Sequence, residues 1–142
     1  MKSKKAAKLK YKEIEIGSIY QFKRKFSEDD LSRFADLTGD YNPLHLDKNY
    51  ARKSKFSGNI VYGMLAGSLF SKLVGMHCPG ERCLYLGQTL FFKKPIYPGD
   101  ELTVKGTVLD KSDSLKIIRL KTEVLKAGDL VISGEARVSF LE

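Results

Sequence analysis

Asp40 and His45 are the residues of this chain whose types and spacing could do acid–base chemistry. They belong to the run Thr38-Gly39-Asp40-Tyr41-Asn42-Pro43-Leu44-His45, and His45 is one of only two histidines in 142 residues. A separation of five does not place two side chains on one helical face, where neighbours sit three or four apart. Pro43 also drives Asn42 out of the α region and interrupts any helix there. Asp40 and His45 would therefore meet across a turn. A carboxylate and an imidazole held that way can grip and activate a water, one as base and the other as acid. The same run is also ordinary turn chemistry, with Gly39 closing a helix and Asp40 or Asn42 bonding local backbone.

The flanking sequence supplies the elements that would position such a turn. Residues 18–26 alternate apolar and polar side chains, which predicts a strand. Ser27 with Asp30 forms a capping-box pattern, and Leu31, Phe34, Ala35 and Leu37 make the apolar stripe of a short helix that Gly39 is placed to end. Asp47 can cap a second short helix through Lys53, and residues 56–59 read as loop. Residues 62–76 carry the longest helical signal, apolar nearly all round with only Lys72 charged, so this helix should be buried on most of its surface. Gly63, Ala66, Gly67 and Gly75 would let other backbone approach it. Residues 84–93, 101–109, 114–125 and 130–141 read as strands joined by turns at 97–100 and 127–129. The order predicts an α+β fold: a single domain with an antiparallel sheet wrapped around a long central helix.

A chain of this length fits one domain, taken as residues 13–142, behind a basic tail at 1–12. Six of the eight net positive charges come from Lys2, Lys4, Lys5, Lys8, Lys10 and Lys12, so the domain itself is nearly neutral. A lysine-rich leader reads as a solvated extension rather than a folded nucleic-acid face. No run approaches the about 18 apolar residues of a membrane span, and no apolar stretch follows the first lysines as in a secretory signal. Cys78 and Cys83 make neither a disulfide framework nor, with His77, a zinc site, which points to reduced thiols in the cytoplasm.

Three blocks resemble a known family. The first is Phe34-Ala35-Asp36-Leu37-Thr38-Gly39-Asp40-Tyr41-Asn42-Pro43-Leu44-His45-Leu46-Asp47. The second is Ile60-Val61-Tyr62-Gly63-Met64-Leu65-Ala66-Gly67-Ser68-Leu69-Phe70-Ser71. The third is Tyr85-Leu86-Gly87-Gln88 followed by Phe91-Phe92-Lys93-Lys94-Pro95-Ile96-Tyr97-Pro98-Gly99-Asp100. Over residues 18–140 the chain resembles the (R)-specific enoyl-CoA hydratases of the MaoC-like, hot-dog-fold family. The resemblance implies a hydro-lyase that adds water reversibly to a trans-2-enoyl thioester, giving the (R)-3-hydroxyacyl product, without cofactor or metal. It implies that Asp40 and His45 hold the water and that the Gly63 backbone N–H receives the thioester oxygen. Asn42 would fix the turn or line the site, and Ser71 would support it. The substrate would be an acyl-CoA or acyl-carrier-protein thioester, and the protein a homodimer or larger homo-oligomer with the pantetheine tunnel between subunits. Tyr62 departs from the pattern, since close relatives commonly carry histidine there; it would narrow the pocket or shift substrate preference.

Physical chemistry agrees with these roles. Hydration builds enolate charge on the thioester oxygen, so a donor aimed there lowers the barrier. Gly63 opens the long helix, where N–H groups and the positive dipole end point outward. Two other classes stay open. A hot-dog thioesterase would also use a carboxylate and a helix-end oxyanion site. A non-catalytic acyl-CoA-binding protein would need an output module such as a helix-turn-helix, for which there is no room. The remaining candidates have simpler explanations. His77 reads as a helix C-terminal residue, and Ser68 and Ser71 as hydroxyls bonding backbone one turn back. Phe91 and Phe92 read as core on one side and pocket wall on the other. Lys93 and Lys94, or Arg52 and Lys53, could meet the phosphates of a CoA or carrier-protein arm, although exposed lysines are usually only solvated.

Overall fold

Apolar side chains alternate along three long strands in the second half of the chain, and that alternation builds the inner face of a sheet. Strands β4 (Leu102–Ser112), β5 (Ile117–Lys126) and β6 (Asp129–Phe140) bury Leu102, Val104 and Val108, then Ile118, Leu120 and Val124, then Ile132, Ala136 and Val138. The computed structural model describes residues 4–142. The sheet is antiparallel with order β1-β4-β5-β6-β2, where β1 is Ile19–Arg24 and β2 is Cys83–Gln88. A two-residue strand β3 (Phe91–Phe92) adds to β6 beyond β2. Four helices precede or enter the sheet's concave face: α1 (Glu28–Thr38), α2 (Pro43–Leu46), α3 (Lys48–Arg52) and α4 (Gly63–Gly67), followed by α5 (Leu69–Lys72).

The predicted central helix occupies the expected span but is not uniform. It runs as α4, α5 and a π-helical turn at Leu73–His77. Ser68 marks the first break: its N–H is shared between the Met64 and Leu65 carbonyls, and its hydroxyl donates to Leu65 O at 2.5 Å. Leu69, Phe70, Leu73 and Val74 are buried against the sheet. Burial of each such side chain contributes about 1.5–3 kcal/mol.

Glycines at the centre of the sheet set how closely these layers meet. Gly106, Thr122 and Gly134 lie side by side on β4, β5 and β6. A Cβ at Gly106 would lie 2.8 Å from Leu73 Cδ2, so the helix sits in a groove that only glycine leaves open. A Cβ at Gly134 would lie 1.9 Å from the Thr89 carbonyl oxygen. The edge chain bends there, and the single strand expected over 84–93 is split into β2 and β3.

The N-terminal segment also differs from expectation. Lys2 lies outside the described residues, but residues 7–14 are docked rather than solvated. Ala7 N–H donates to Met76 O, Glu81 N–H donates to Ala7 O, and Lys111 Nζ donates to the carbonyls of Tyr11 at 2.9 Å and Ile14 at 2.6 Å. Tyr11–Glu13 forms a 3-10 turn, and the Tyr11 hydroxyl donates to Asp113. Leu9, Tyr11 and Ile14, interleaved with the lysines, pack in a core cluster with Val74, Val108, Ile118, Leu120 and Val138, separate from the cluster that holds Tyr62; this burial opposes the detachment that charge alone would favour.

Candidate active site

The site is built from a chain of local caps. Ser27 Oγ accepts from Asp30 N–H, and Asp30 accepts from Ser27 N–H, which starts α1 as the sequence predicts. Gly39, at φ 79°, closes α1 through a bond to Ala35 O. Two short turns follow. Asp40 Oδ1 accepts from Asn42 N–H at 3.1 Å, and Asn42 Oδ1 accepts from Leu44 N–H at 3.0 Å. Asn42 is thus the N-cap of α2, with Pro43 in its first turn, and α2 carries His45.

Asn59, read from sequence as plain loop, holds this turn from behind. Its side-chain amide donates to the carbonyls of Leu44 at 3.1 Å and Asp47 at 3.0 Å. Asp47 in turn caps α3 through Tyr50 N–H. The segment after Asn59 then crosses under His45, and Val61 N–H donates to Ile96 O at 2.7 Å.

His45 Nδ1 lies 2.7 Å from the carbonyl oxygen of Ile60. A carbonyl only accepts, so Nδ1 carries the proton and Nε2 is left for chemistry. The imidazole stacks on Tyr62, with centroids 3.9 Å apart and planes 27° from parallel. Tyr62 is 2% exposed, contacts the Phe34 ring at 4.7 Å, and donates its hydroxyl to the Asp40 carbonyl at 2.5 Å. Burial, helped by the charge of Asp40, pushes the Tyr62 phenol above its ordinary value, so it remains a donor.

A cavity of about 510 Å³ opens beside these residues. His45, Ile60, Val61, Gly63, Met64, Phe92, Ile96 and Ile132 line it, with Lys55, Lys93, Lys94 and Pro95 on its exposed side. Gly63 opens α4, so its N–H belongs to the first turn, where helical backbone has no acceptor. Phe92 packs on that glycine: a Cβ there would sit 3.0 Å from Phe92 Cε1. Phe92 is thus cavity wall, while Phe91 is 61% exposed rather than core.

The structure brings His45 and Gly63 to one cavity. Asp40 is exposed and outside the cavity lining; its carbonyl accepts from the Tyr62 hydroxyl, and the Tyr62 ring stacks on His45. Ser71 lies on α5, exposed and also outside the lining, with its N–H donating to Ser68 O. His77 ends the π-helical turn; its ring lies parallel to Phe22 at 5.1 Å, and Lys72 Nζ lies over the same Phe22 ring. Burial first, and Lys72 second, lower the His77 pKa. Burial pushes the Cys78 thiol up to about 11, which makes it a core thiol rather than a nucleophile. Among the described residues no group of three His, Cys, Asp or Glu side chains could hold a metal ion.

The MaoC like domain family model matches residues 11–128. The chain belongs to the MaoC-like domain family. Within it, the chain is 40% identical over 126 residues to the (R)-specific enoyl-CoA hydratase of Aeromonas caviae, covering 88% of this chain and 94% of that protein. It is also 40% identical to a mitochondrial 3-hydroxyacyl-[acyl-carrier-protein] dehydratase of Solanum lycopersicum, over 87% of this chain and 75% of that one. The unliganded R-hydratase of Pseudomonas aeruginosa shares the fold with a TM-score of 0.88 and 40% identity, over 93% of this chain and 85% of that chain. The MaoC-like chain is therefore a hot-dog domain, its sheet curled around the 63–77 helical segment.

Proposed function

We propose that this protein is an (R)-specific enoyl-CoA hydratase, adding water reversibly across the double bond of a trans-2-enoyl thioester. One observation carries the assignment to a site: the Ile60 carbonyl fixes His45 with Nδ1 protonated, beside a cavity that begins at the Gly63 backbone.

In the proposed reaction Asp40 and His45 hold the water between them. One accepts a water proton as the oxygen bonds to C3 of the enoyl group, and the other delivers a proton to C2 on the same face. The groups exchange roles in dehydration. Negative charge that builds on the thioester oxygen is received by Gly63 N–H at the start of the helix. Asn42 supports the site by capping α2, and Ser71 on α5 is the further residue proposed to support it.

The substrate is a thioester on CoA or an acyl-carrier protein, whose phosphates would meet Lys55, Lys93 and Lys94 around the cavity. The proposed active unit is a homodimer of the 13–142 domain. Leu84 and Leu86 on edge strand β2, and Phe91 and Phe92 on β3, are all about half exposed or more, and an apolar edge of that kind favours pairing with a second copy. No helix among the described residues is long and apolar enough to cross a membrane, and both cysteines are free thiols; the cytoplasm is the proposed compartment.

The test is loss of enoyl absorbance when the purified protein meets crotonyl-CoA, beside a folded Asp40→Asn control. Rapid loss that the control lacks, with an (R)-3-hydroxy product, supports the proposal. Free thiol released from a saturated acyl-CoA, with no loss of enoyl absorbance, would replace it with thioester hydrolysis.

A further inference from the structure

We propose that Tyr62 is the positioning residue that keeps Asp40 and His45 in register with each other, an inference that rests on the hydratase reading above. The two groups lie on different elements, Asp40 in the turn after α1 and His45 on α2. Among the described residues no hydrogen bond joins their side chains directly. One buried ring touches both. Its hydroxyl donates to the Asp40 carbonyl at 2.5 Å, and its ring centroid lies 3.9 Å from that of His45.

Each contact removes a particular freedom. Holding the Asp40 carbonyl fixes the peptide that carries the carboxylate, which then moves only through its own side-chain torsions. Stacking fixes the plane of the imidazole, and the Ile60 carbonyl fixes its rotation within that plane. Tyr62 is itself held by Phe34 and the core around Ala66 and Val61, and it immediately precedes Gly63. A displacement of Tyr62 would therefore move the acid, the base and the oxyanion donor relative to one another. Misplacement of reacting groups by about 1 Å costs on the order of a hundredfold in rate.

Tyr62→Phe tests this, because it deletes one oxygen and leaves the ring and its stack on His45 in place. The expected result is kcat lowered by about tenfold or more, with KM for crotonyl-CoA within about twofold of wild type. The imidazole resonances of His45 should shift in the same variant; with only two histidines in the chain, a His77 variant assigns them. Val108→Ala, in the other core cluster, serves as the stability control and should keep the wild-type kcat while losing at least as much thermal stability. A Tyr62→Phe protein with wild-type kcat overturns the inference, as does a loss that Val108→Ala reproduces. If the wild-type protein hydrates no enoyl thioester, the hydratase reading itself fails. The resonances then decide separately: unmoved His45 signals in Tyr62→Phe overturn the positioning role, and shifted ones retain it.

Discussion

The Ile60 carbonyl oxygen sits 2.7 Å from His45 Nδ1, and that bond makes the other ring nitrogen the one available for proton transfer. His45→Gln keeps a polar side chain but removes the ring nitrogen proposed to transfer the proton. Its kcat should fall by about 10²–10⁴-fold with the protein still folded, as read by steady-state kinetics beside circular dichroism.

Asp40 and His45 are proposed to act on one water, so their losses should not add. Asp40→Asn should cost about as much as His45→Gln. The double variant should be little worse than either single one, whereas independent contributions would multiply. Single-turnover hydration of crotonyl-CoA by all three variants decides between these outcomes.

Asn59 has no place in the proposed chemistry, yet it holds the Leu44 and Asp47 carbonyls around α2. Asn59→Ala leaves both without that partner. It should lower unfolding stability by about 1–3 kcal/mol, measured by urea denaturation. The activity that remains should return at lower temperature, because the variant loosens the turn without removing a reacting group.

Gly63→Ala keeps the backbone N–H but places a methyl group 3.0 Å from the Phe92 ring. Phe92 must move, and the cavity entrance moves with it. Activity should fall by about ten- to a hundredfold. Gly63→Ala/Phe92→Leu, which clears the space, should recover most of that loss.

His77 supplies a pH dependence of stability. Its pKa is lowered from 6.5 in the folded protein by burial and by Lys72, so the unfolded chain binds more protons as the solution is acidified. Stability from this site is therefore undiminished above 6.5 and falls progressively as pH drops below it. His77→Phe retains a ring to stack on Phe22 but does not titrate. Between about pH 7.5 and pH 5.5 the wild type should lose more thermal stability than His77→Phe does.

Much of the fold was legible because its signals are local. The Ser27 and Asp30 box, the αL glycine at 39 and the alternation along β4, β5 and β6 each follow from neighbouring residues. The span of the central helix was legible from its apolar character. Its π-helical turn was not, because a one-residue change in hydrogen-bond register leaves no mark on an apolar run. The split between β2 and β3 depends on a contact between Thr89 and Gly134, far apart in sequence.

At the site, the local turns could be read from Asp40, Asn42 and Pro43; the short helix α2 could not, because Pro43 reads as a helix break although proline also fits a first helical turn. Asn59 could not, since an amide bonding backbone carbonyls 15 and 12 residues away has no sequence pattern. Tyr62 stands out in the sequence as a departure from histidine, but its hydroxyl bond to Asp40 joins residues 22 apart and has no sequence pattern.

The docked N-terminal segment also bears on the order in which the protein is made. Lys111 grips the carbonyls of Tyr11 and Ile14 across sequence separations of 100 and 97, and Ala7 is held by Met76 and Glu81. A ribosome releases residues 7–14 long before any of those anchors exists. Residues 7–14 therefore take their native place only once the chain has been made as far as Lys111. Their docking waits on β4, the strand that carries Lys111, as a clasp waits on its catch.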